Sequence, residues 1–285
     1  MSLSSLSVGF VGLGNIGSPM AANILSAGFP LTVYDKLEGP LAEFAELGAK
    51  VAASPAAMGS ECDVIGICVR DDAEVESVVH GPQGLFEGVG PGVVVAVHST
   101  VRPATVKAMG EAAAVLSVDV IDAPITGGRA GAEAKTLCCM VGGNEAAIER
   151  CRPVFETSAA KIVKTGVLGT GAAMKLCNNI LTYLGFLAVS EANGLAEATG
   201  LSRDALLEVT RAGGVMTAPM EAFLGLKDLG PGALEDESFR AMVEGFRGLA
   251  DKDLGLALES AAEAGLELPG ARACRELMAK VYGLE

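Results

Sequence analysis

The 285-residue sequence predicts an α/β chain in two parts: a mostly parallel sheet with helices on both faces, then a long helix leading into an all-helical second part. Three observations predict it. Through the first half, short apolar runs rich in β-branched residues alternate with helical stretches, the pattern of strands buried on both faces. After about residue 168 the strand signal stops and helical periodicity carries on. Glycine is abundant, at 37 residues, and Trp is absent, a composition suited to tight helix–strand packing and to backbone approaching a ligand.

The elements follow in order. "MSLSSLSVGFVGLG" has no basic residue ahead of its apolar run, so it reads as a short polar tail feeding a first strand rather than as a secretory signal. Strands are expected at 7–11, 31–34, 64–69, 93–97, 118–121 and 137–141. Gly48 closes a helix that starts near Pro40. Ser54 and Pro55 read as an N-cap with proline in the first helical position. The second part begins at 168, dividing the chain into 1–167 and 168–285. Its first helix, about 168–198 and closed by Gly200, is apolar nearly all round, as expected of a helix buried between two bodies. Further helices are expected at 202–212, 239–264 and 269–282, with a loop over "GLKDLGPGALEDES".

Composition also excludes. A net charge of −14 would repel nucleic acid. Charges or glycines interrupt every apolar run before membrane-spanning length, so no membrane partner is expected. The seven cysteines form no C-x-x-C and several sit in apolar runs, which suggests reduced thiols in a cytoplasmic protein. With two histidines and no clustered ligands, no metal is expected.

Four motifs carry chemistry. In "GFVGLGNIG", Gly12, Gly14 and Gly17 form G-x-G-x-x-G between a strand and a helix, with Leu13, Asn15 and Ile16 between them. Such a turn lets backbone approach a pyrophosphate and points a helix N-terminus at it, so a Rossmann-type dinucleotide-binding domain is expected. Asp35 closes the second strand about 20 residues on and can accept both ribose hydroxyls, which favours NAD over NADP; Lys36 beside it could meet a phosphate. Ligands of such sheets lie beyond the carboxyl ends of strands. Val69, Thr100 and "DAPITGG" (122–128) stand at such ends, although Thr100 could equally serve a turn or a helix cap. In "GTGAAMKLCNN", Lys175, Asn178 and Asn179 share one helix face among apolar neighbours. A lysine there either exchanges protons, its pKa lowered by burial, or buries its stem and reaches water with its head. Lys252 and Asp253 break an otherwise apolar helix, where a solvated face is the default.

Together these stretches resemble the β-hydroxyacid dehydrogenase family, which includes 3-hydroxyisobutyrate dehydrogenase and tartronate semialdehyde reductase. "GFVGLGNIGSPMAANILSAG" is similar to the family's cofactor signature, "DAPITGGRAGAEAKTLCCMVGG" to its substrate motif, "GTGAAMKLCNN" to its catalytic helix and "DKDLGLAL" to its C-terminal motif, in the same order along almost the whole chain. The resemblance implies a catalytic Lys175 and an Asn179 that helps hold the substrate. It implies that Thr126 and Gly127 bind the substrate carboxylate, with Gly128 and Asn178 beside them, and that Thr100 and Lys252 contact the cofactor. Val69 would lie beside the nicotinamide half. This chain departs from the usual motifs at Thr126 (Ser), Lys135 (Gly), His98 (Asp) and Cys68-Val69-Arg70 (Met-Leu-Pro).

The implied activity is hydride transfer between NAD and a short 3-hydroxy acid or its semialdehyde, with Lys175 as general acid/base. An NADPH-dependent semialdehyde reductase is the alternative, and a non-catalytic NAD-binding protein a remote one. The resemblance also implies a 6-phosphogluconate dehydrogenase-like C-terminal domain. The long apolar helix suggests a homo-oligomer, dimer or tetramer.

Overall fold

The computed structural model describes residues 6–227 and 231–285. The expected polar tail and the middle of the 225–238 loop lie outside the described residues. By its internal contacts the chain divides into two compact units, Met1–Lys175 and Leu176–Glu285.

The first unit starts β1 (Val8–Val11), α1 (Gly17–Ser26), β2 (Leu31–Tyr34), α2 (Glu38–Glu46), β3 (Lys50–Val51), α3 (Pro55–Gly59) and β4 (Val64–Ile67). It continues α4 (Asp72–His80), α5 (Leu85–Gly88), β5 (Val94–Val97), α6 (Pro103–Ala114) and β6 (Asp119–Asp122). It ends β7 (Ile125–Thr126), α7 (Gly128–Glu133), β8 (Leu137–Gly142), α8 (Glu145–Phe155), β9 (Ala159–Gly166) and the start of α9 (Thr170–Ala198). Among the described residues nine strands form one sheet, ordered β3-β2-β1-β4-β5-β6-β8-β7, with β9 on β8.

The sheet is parallel from β3 through β6, as the sequence implies. Alternate residues of each strand feed two cores: Val94 and Ala96 pack on one face, Val95 and Val97 on the other. Each fully buried aliphatic side chain contributes about 1.5–3 kcal/mol, which explains the near-continuous apolar runs. β8 departs from this pattern and pairs antiparallel with both β6 and β7. The segment from Asp122 to Thr126 runs onward past Pro124. Gly127 (φ +126°) and Gly128 (φ +63°) then turn the chain back, so β8 returns along its own approach.

Several local expectations hold. Ser54 Oγ accepts from Ala57 N–H at 3.1 Å and caps α3, with Pro55 first in the helix. Gly48 has a φ of +93° just beyond α2. β3, β7 and β9 escaped the sequence reading because β3 and β7 have two residues each and β9 is largely exposed, so none shows an apolar run.

The second unit holds the rest of α9 with α10 (Arg203–Ala212), α11 (Ala218–Lys227), a 3-10 turn (Pro231–Glu235), α12 (Glu237–Glu263) and α13 (Pro269–Val281). Tyr183, Phe223, Leu224, Leu254, Cys274 and Met278 form its core. The last three residues of α11 and the 3-10 turn fall in described parts of the stretch expected to be loop, and the rest of α11, from Ala218, was not foreseen as a helix. Two expectations about α9 are corrected. It is long and apolar enough to cross a membrane by length and composition, contrary to the sequence reading, a test that core helices of soluble proteins also pass. It is also not a buried helix within this chain: only 22% of its most apolar window is buried, and Leu181 and Leu195 are exposed.

Candidate active site

The glycine turn joins β1 to α1 at the carboxyl edge of the sheet. Gly12 takes a φ of +92°, and a Cβ there would stand 2.4 Å from the Cys68 carbonyl oxygen. A Cβ on Gly17 would stand 2.0 Å from the Gly12 carbonyl oxygen, so this glycine brings helix and turn into contact. Gly14 instead faces open space. Among the described residues no side chain caps the start of α1, and its first turn carries no acid. An uncapped helix start beside an open, glycine-lined surface fits a pyrophosphate, because backbone N–H groups and the positive end of the helix dipole are left for an anion. Leu13 is buried, Ile16 is half-buried and Asn15 is exposed.

Asp35 stands next to this turn. Its carboxylate accepts from Leu13 N–H at 2.7 Å and from Leu37 N–H at 2.9 Å. Each oxygen keeps a lone pair for a further donor. Lys36 pairs with Glu74 at 2.5 Å, and Glu74 also receives the Arg70 backbone N–H at 3.0 Å and the Arg70 guanidinium at 3.4 Å. Bonding from Lys36, first of all, holds the Glu74 carboxyl below the usual range. Glu74 was not singled out from sequence, since its partners come from the ends of two other elements.

Val69 follows β4, and its N–H donates to Ser99 Oγ at 2.9 Å, tying the ends of β4 and β5 together. Its side chain lies against the Gly12 position. Thr100 is half-buried. α6 starts three residues on at Pro103, and its entry is held by Asp72, which accepts from Arg102 N–H at 3.0 Å and Thr105 Oγ at 2.5 Å. His98 is buried between Phe10 and Phe155. Its Nδ1 meets the Ala123 carbonyl oxygen at 2.8 Å. Burial pushes its pKa down to about 4.

Thr126 is half-buried at the end of β7, and Gly127 and Gly128 are exposed. Gly127 combines its positive φ with a Cβ position 3.0 Å from Leu137 Cδ2, so both backbone and space call for glycine. Four residues before Thr126, Asp122 is buried and its carboxylate meets the start of α9, at Gly169 N–H (2.8 Å) and Ala172 N–H (2.6 Å). Burial raises the Asp122 pKa, and these N–H groups oppose the rise. Lys175, half-buried, follows one turn on.

In the second unit Asn179 is buried and Asn178 half-buried; the Asn178 amide donates to Asn179 Oδ1 at 3.2 Å. Asn179 Nδ2 donates to Asp253 Oδ2 at 2.7 Å, and the Tyr183 hydroxyl donates to the same oxygen at 3.0 Å. Lys252 Nζ lies 2.9 Å from Asp253 Oδ1. The solvated-face expectation is therefore corrected for Asp253, which is only 5% exposed. Helical periodicity could not reveal this, since the acid is held by residues of another helix. Burial, then the Asp253 charge and hydrogen bond, push the Tyr183 pKa up. Among the described residues no cluster of three or more His, Cys, Asp or Glu could hold a metal. All seven cysteines are free thiols. Cys139 is buried and its neighbour Cys138 half-buried, as alternation along β8 requires.

A parallel sheet with an anion-ready glycine turn and an acid at the next strand end defines a dinucleotide-binding protein. Comparison with known proteins narrows this class. Residues 7–168 match the family profile described as the NAD binding domain of 6-phosphogluconate dehydrogenase. Residues 169–283 match the profile described as NAD-binding of NADP-dependent 3-hydroxyisobutyrate dehydrogenase. A probable mitochondrial 3-hydroxyisobutyrate dehydrogenase of Dictyostelium discoideum is 36% identical over 92% of this chain and 81% of its own length. A 2-hydroxy-3-oxopropionate reductase of Escherichia coli is 35% identical over 95% and 90%. A solved Mycobacterium tuberculosis 3-hydroxyisobutyrate dehydrogenase with L-serine superposes with a TM-score of 0.81 at 29% identity, covering 96% of this chain and 93% of that one. The chain belongs to the β-hydroxyacid dehydrogenase family, whose members are NAD(P)-dependent oxidoreductases of small hydroxy acids.

Proposed function

We propose that this enzyme prefers NAD and interconverts a short 3-hydroxy acid and its semialdehyde. The observation that carries the cofactor reading is Asp35 beside the open glycine turn. Its carboxylate, already oriented by two backbone N–H groups, suits ribose hydroxyls and repels a 2′-phosphate. Glu74 supports the same preference by occupying Lys36 and Arg70, two cations that a 2′-phosphate would need. The turn from Gly12 to Gly17, through Leu13, Asn15 and Ile16, holds the pyrophosphate. Val69, Thr100 and Lys252 contact the remaining parts of the cofactor.

When bound, the nicotinamide supplies the hydride acceptor or donor. Thr126 Oγ and the Gly127 N–H hold the substrate carboxylate, and Gly128 keeps the approach clear. Lys175 takes the proton from the substrate hydroxyl during oxidation and returns it to the carbonyl oxygen during reduction. Asn179, one turn further along α9, donates to the same oxygen, and Asn178 lines the substrate beside it. The methyl of Thr126, absent from the serine usual there, narrows the carboxylate end and favours small acids. The relatives named for 3-hydroxyisobutyrate and 2-hydroxy-3-oxopropionate, and the one solved with L-serine, support that size class. The enzyme works in the cytoplasm as a dimer or tetramer, in which the exposed apolar residues of α9 find cover.

The test is a rate survey with NAD and NADP against 3-hydroxyisobutyrate, glycerate, 3-hydroxypropionate, 4-hydroxybutyrate, threonate and serine, for the native chain and Lys175→Ala. The variant should lose turnover by about 10²–10⁴-fold while cofactor still binds. Turnover within tenfold of the native chain would sink the role given to Lys175. Higher kcat/KM with NADP would favour the NADPH-dependent semialdehyde reductase.

A further inference from the structure

Asp122 ends β6 with a carboxylate that the reaction above does not use. It is 1% exposed. Its Oδ1 accepts from Gly169 N–H at 2.8 Å and its Oδ2 from Ala172 N–H at 2.6 Å; the Gly171 N–H adds a third bond. α9 begins at Thr170, so these donors belong to the helix start, whose N–H groups have no partners inside the helix. A carboxylate there also meets the positive end of the helix dipole. The cap comes from a strand 47 and 50 residues away in sequence, not from the residue ahead of the helix.

The seat is shaped to admit this carboxylate and little else. A Cβ on Gly142 would stand 2.7 Å from Asp122 Oδ1. A Cβ on Gly171 would stand 2.5 Å from the Met140 carbonyl oxygen and 2.8 Å from Asp122 Oδ2. Thr170 Oγ1 donates to the Val167 carbonyl oxygen at 2.7 Å and lies 2.8 Å from Thr165 Oγ1, which ties the helix start to β9 as well. Three glycine-bearing stretches, "DAPITGG", "MVGG" and "GTG", therefore meet around one acid.

The consequence lies in what each end of the contact carries. The β6–β7 segment carries Asp122 and, four residues on, Thr126. The gripped helix carries Lys175 three residues after Ala172, on the same face. We propose that Asp122 is a positioning residue: by gripping the start of α9 from the segment that bears Thr126, it sets the placement of the Lys175 ammonium relative to the carboxylate anchor. This rests on the reading of Lys175 and Thr126 given above. A misplacement of about 1 Å between a proton-exchanging group and its substrate costs about 10²-fold in rate.

The experiment compares the native chain with Asp122→Asn, Gly171→Ala, Lys175→Ala and the Asp122→Asn/Lys175→Ala double variant. Steady-state rates, NADH titration followed by the fluorescence of the reduced nicotinamide itself and thermal melts are measured on each. Asn keeps the shape of Asp122 but turns an amide N–H₂ toward one of the backbone donors. Asp122→Asn and Gly171→Ala should each lower kcat by about 10²-fold, leaving NADH affinity within about twofold and a cooperative melt above the assay temperature. In the double variant the rate should match that of Lys175→Ala, because the two residues act through one group. Native-like kcat in Asp122→Asn overturns the proposal. So does an Asp122→Asn penalty that persists undiminished on the Lys175→Ala background. Loss of NADH affinity or of the cooperative melt along with turnover overturns it too, since Asp122 would then be holding the fold rather than the lysine. Native-like turnover in Lys175→Ala would fail at the earlier step, the function itself, and is read separately.

Discussion

Glu74→Gln tests what makes the cofactor site choose between NAD and NADP. Lys36 and Arg70 stand at the ends of β2 and β4, and both lean on Glu74, at 2.5 and 3.4 Å. Their side chains are 67% and 69% exposed, so each pair contributes no more than about 1 kcal/mol to stability and the variant should fold normally. Glutamine leaves both cations uncompensated. Against a 2′-phosphate at about 4 Å in water-like surroundings, each unit charge is worth about 1 kcal/mol. Screening and side-chain freedom reduce the pair to about 1–2 kcal/mol, or about 5–30-fold in kcat/KM for NADP. Asp35 keeps its two backbone bonds, so kcat/KM for NAD should stay within about twofold of the native value. Initial rates with each cofactor at low and high ionic strength make the assay. The NADP gain should shrink with salt, because the cations are exposed, and should vanish in Glu74→Gln/Lys36→Gln/Arg70→Gln. Unchanged NADP kinetics, or equal gains with both cofactors, would refute the reasoning.

Two further outcomes follow from buried groups. His98 has a folded pKa of about 4 against 6.5 for the free side chain, so between these values the unfolded chain binds the extra proton. Stability should therefore fall as pH drops below about 6.5 and level off near pH 4, by about 3 kcal/mol in all. Urea denaturation at pH 7 and pH 4.5 should show the loss in the native chain and a smaller one in His98→Gln; equal losses would remove His98 as the cause. Asp253→Ala strands the Asn179 amide and the Tyr183 hydroxyl in a buried site and removes the carboxylate that Lys252 meets. It should destabilise by about 3–5 kcal/mol in the same denaturation experiment, and a loss under about 1 kcal/mol would show the network to be dispensable.

Much of the first unit was legible because its signals are local. Strand candidates at 31–34 and 93–97 coincide with β2 and β5 almost residue for residue, since a strand buried on both faces must be apolar throughout. The Ser54 cap and the Gly48 helix end depend on residues within one turn of each other. β9 was missed for the converse reason: its exposed lysines carry no burial signal, and it is a strand because β8 offers it a free edge. The helical part was harder. Asp253 looks solvated from its own helix and is buried by others. α9 looks like a buried helix, while much of its surface is exposed within this chain.

By itself the sequence determined the alternation of strands and helices, the glycine turn with Asp35 at the next strand end, and the shared face of Lys175, Asn178 and Asn179. Each of these depends on the backbone preferences and periodicity of near neighbours. Only the tertiary structure decided that Glu74 takes up Lys36 across 38 residues, that Asp122 caps α9 across 47, and that Asp253 holds Asn179 across 74. A carboxylate carries no local mark of its partner. What it bonds to depends on which distant donors the sheet and helices bring within about 3 Å, and in the buried cases on the high cost of leaving a polar group unpaired.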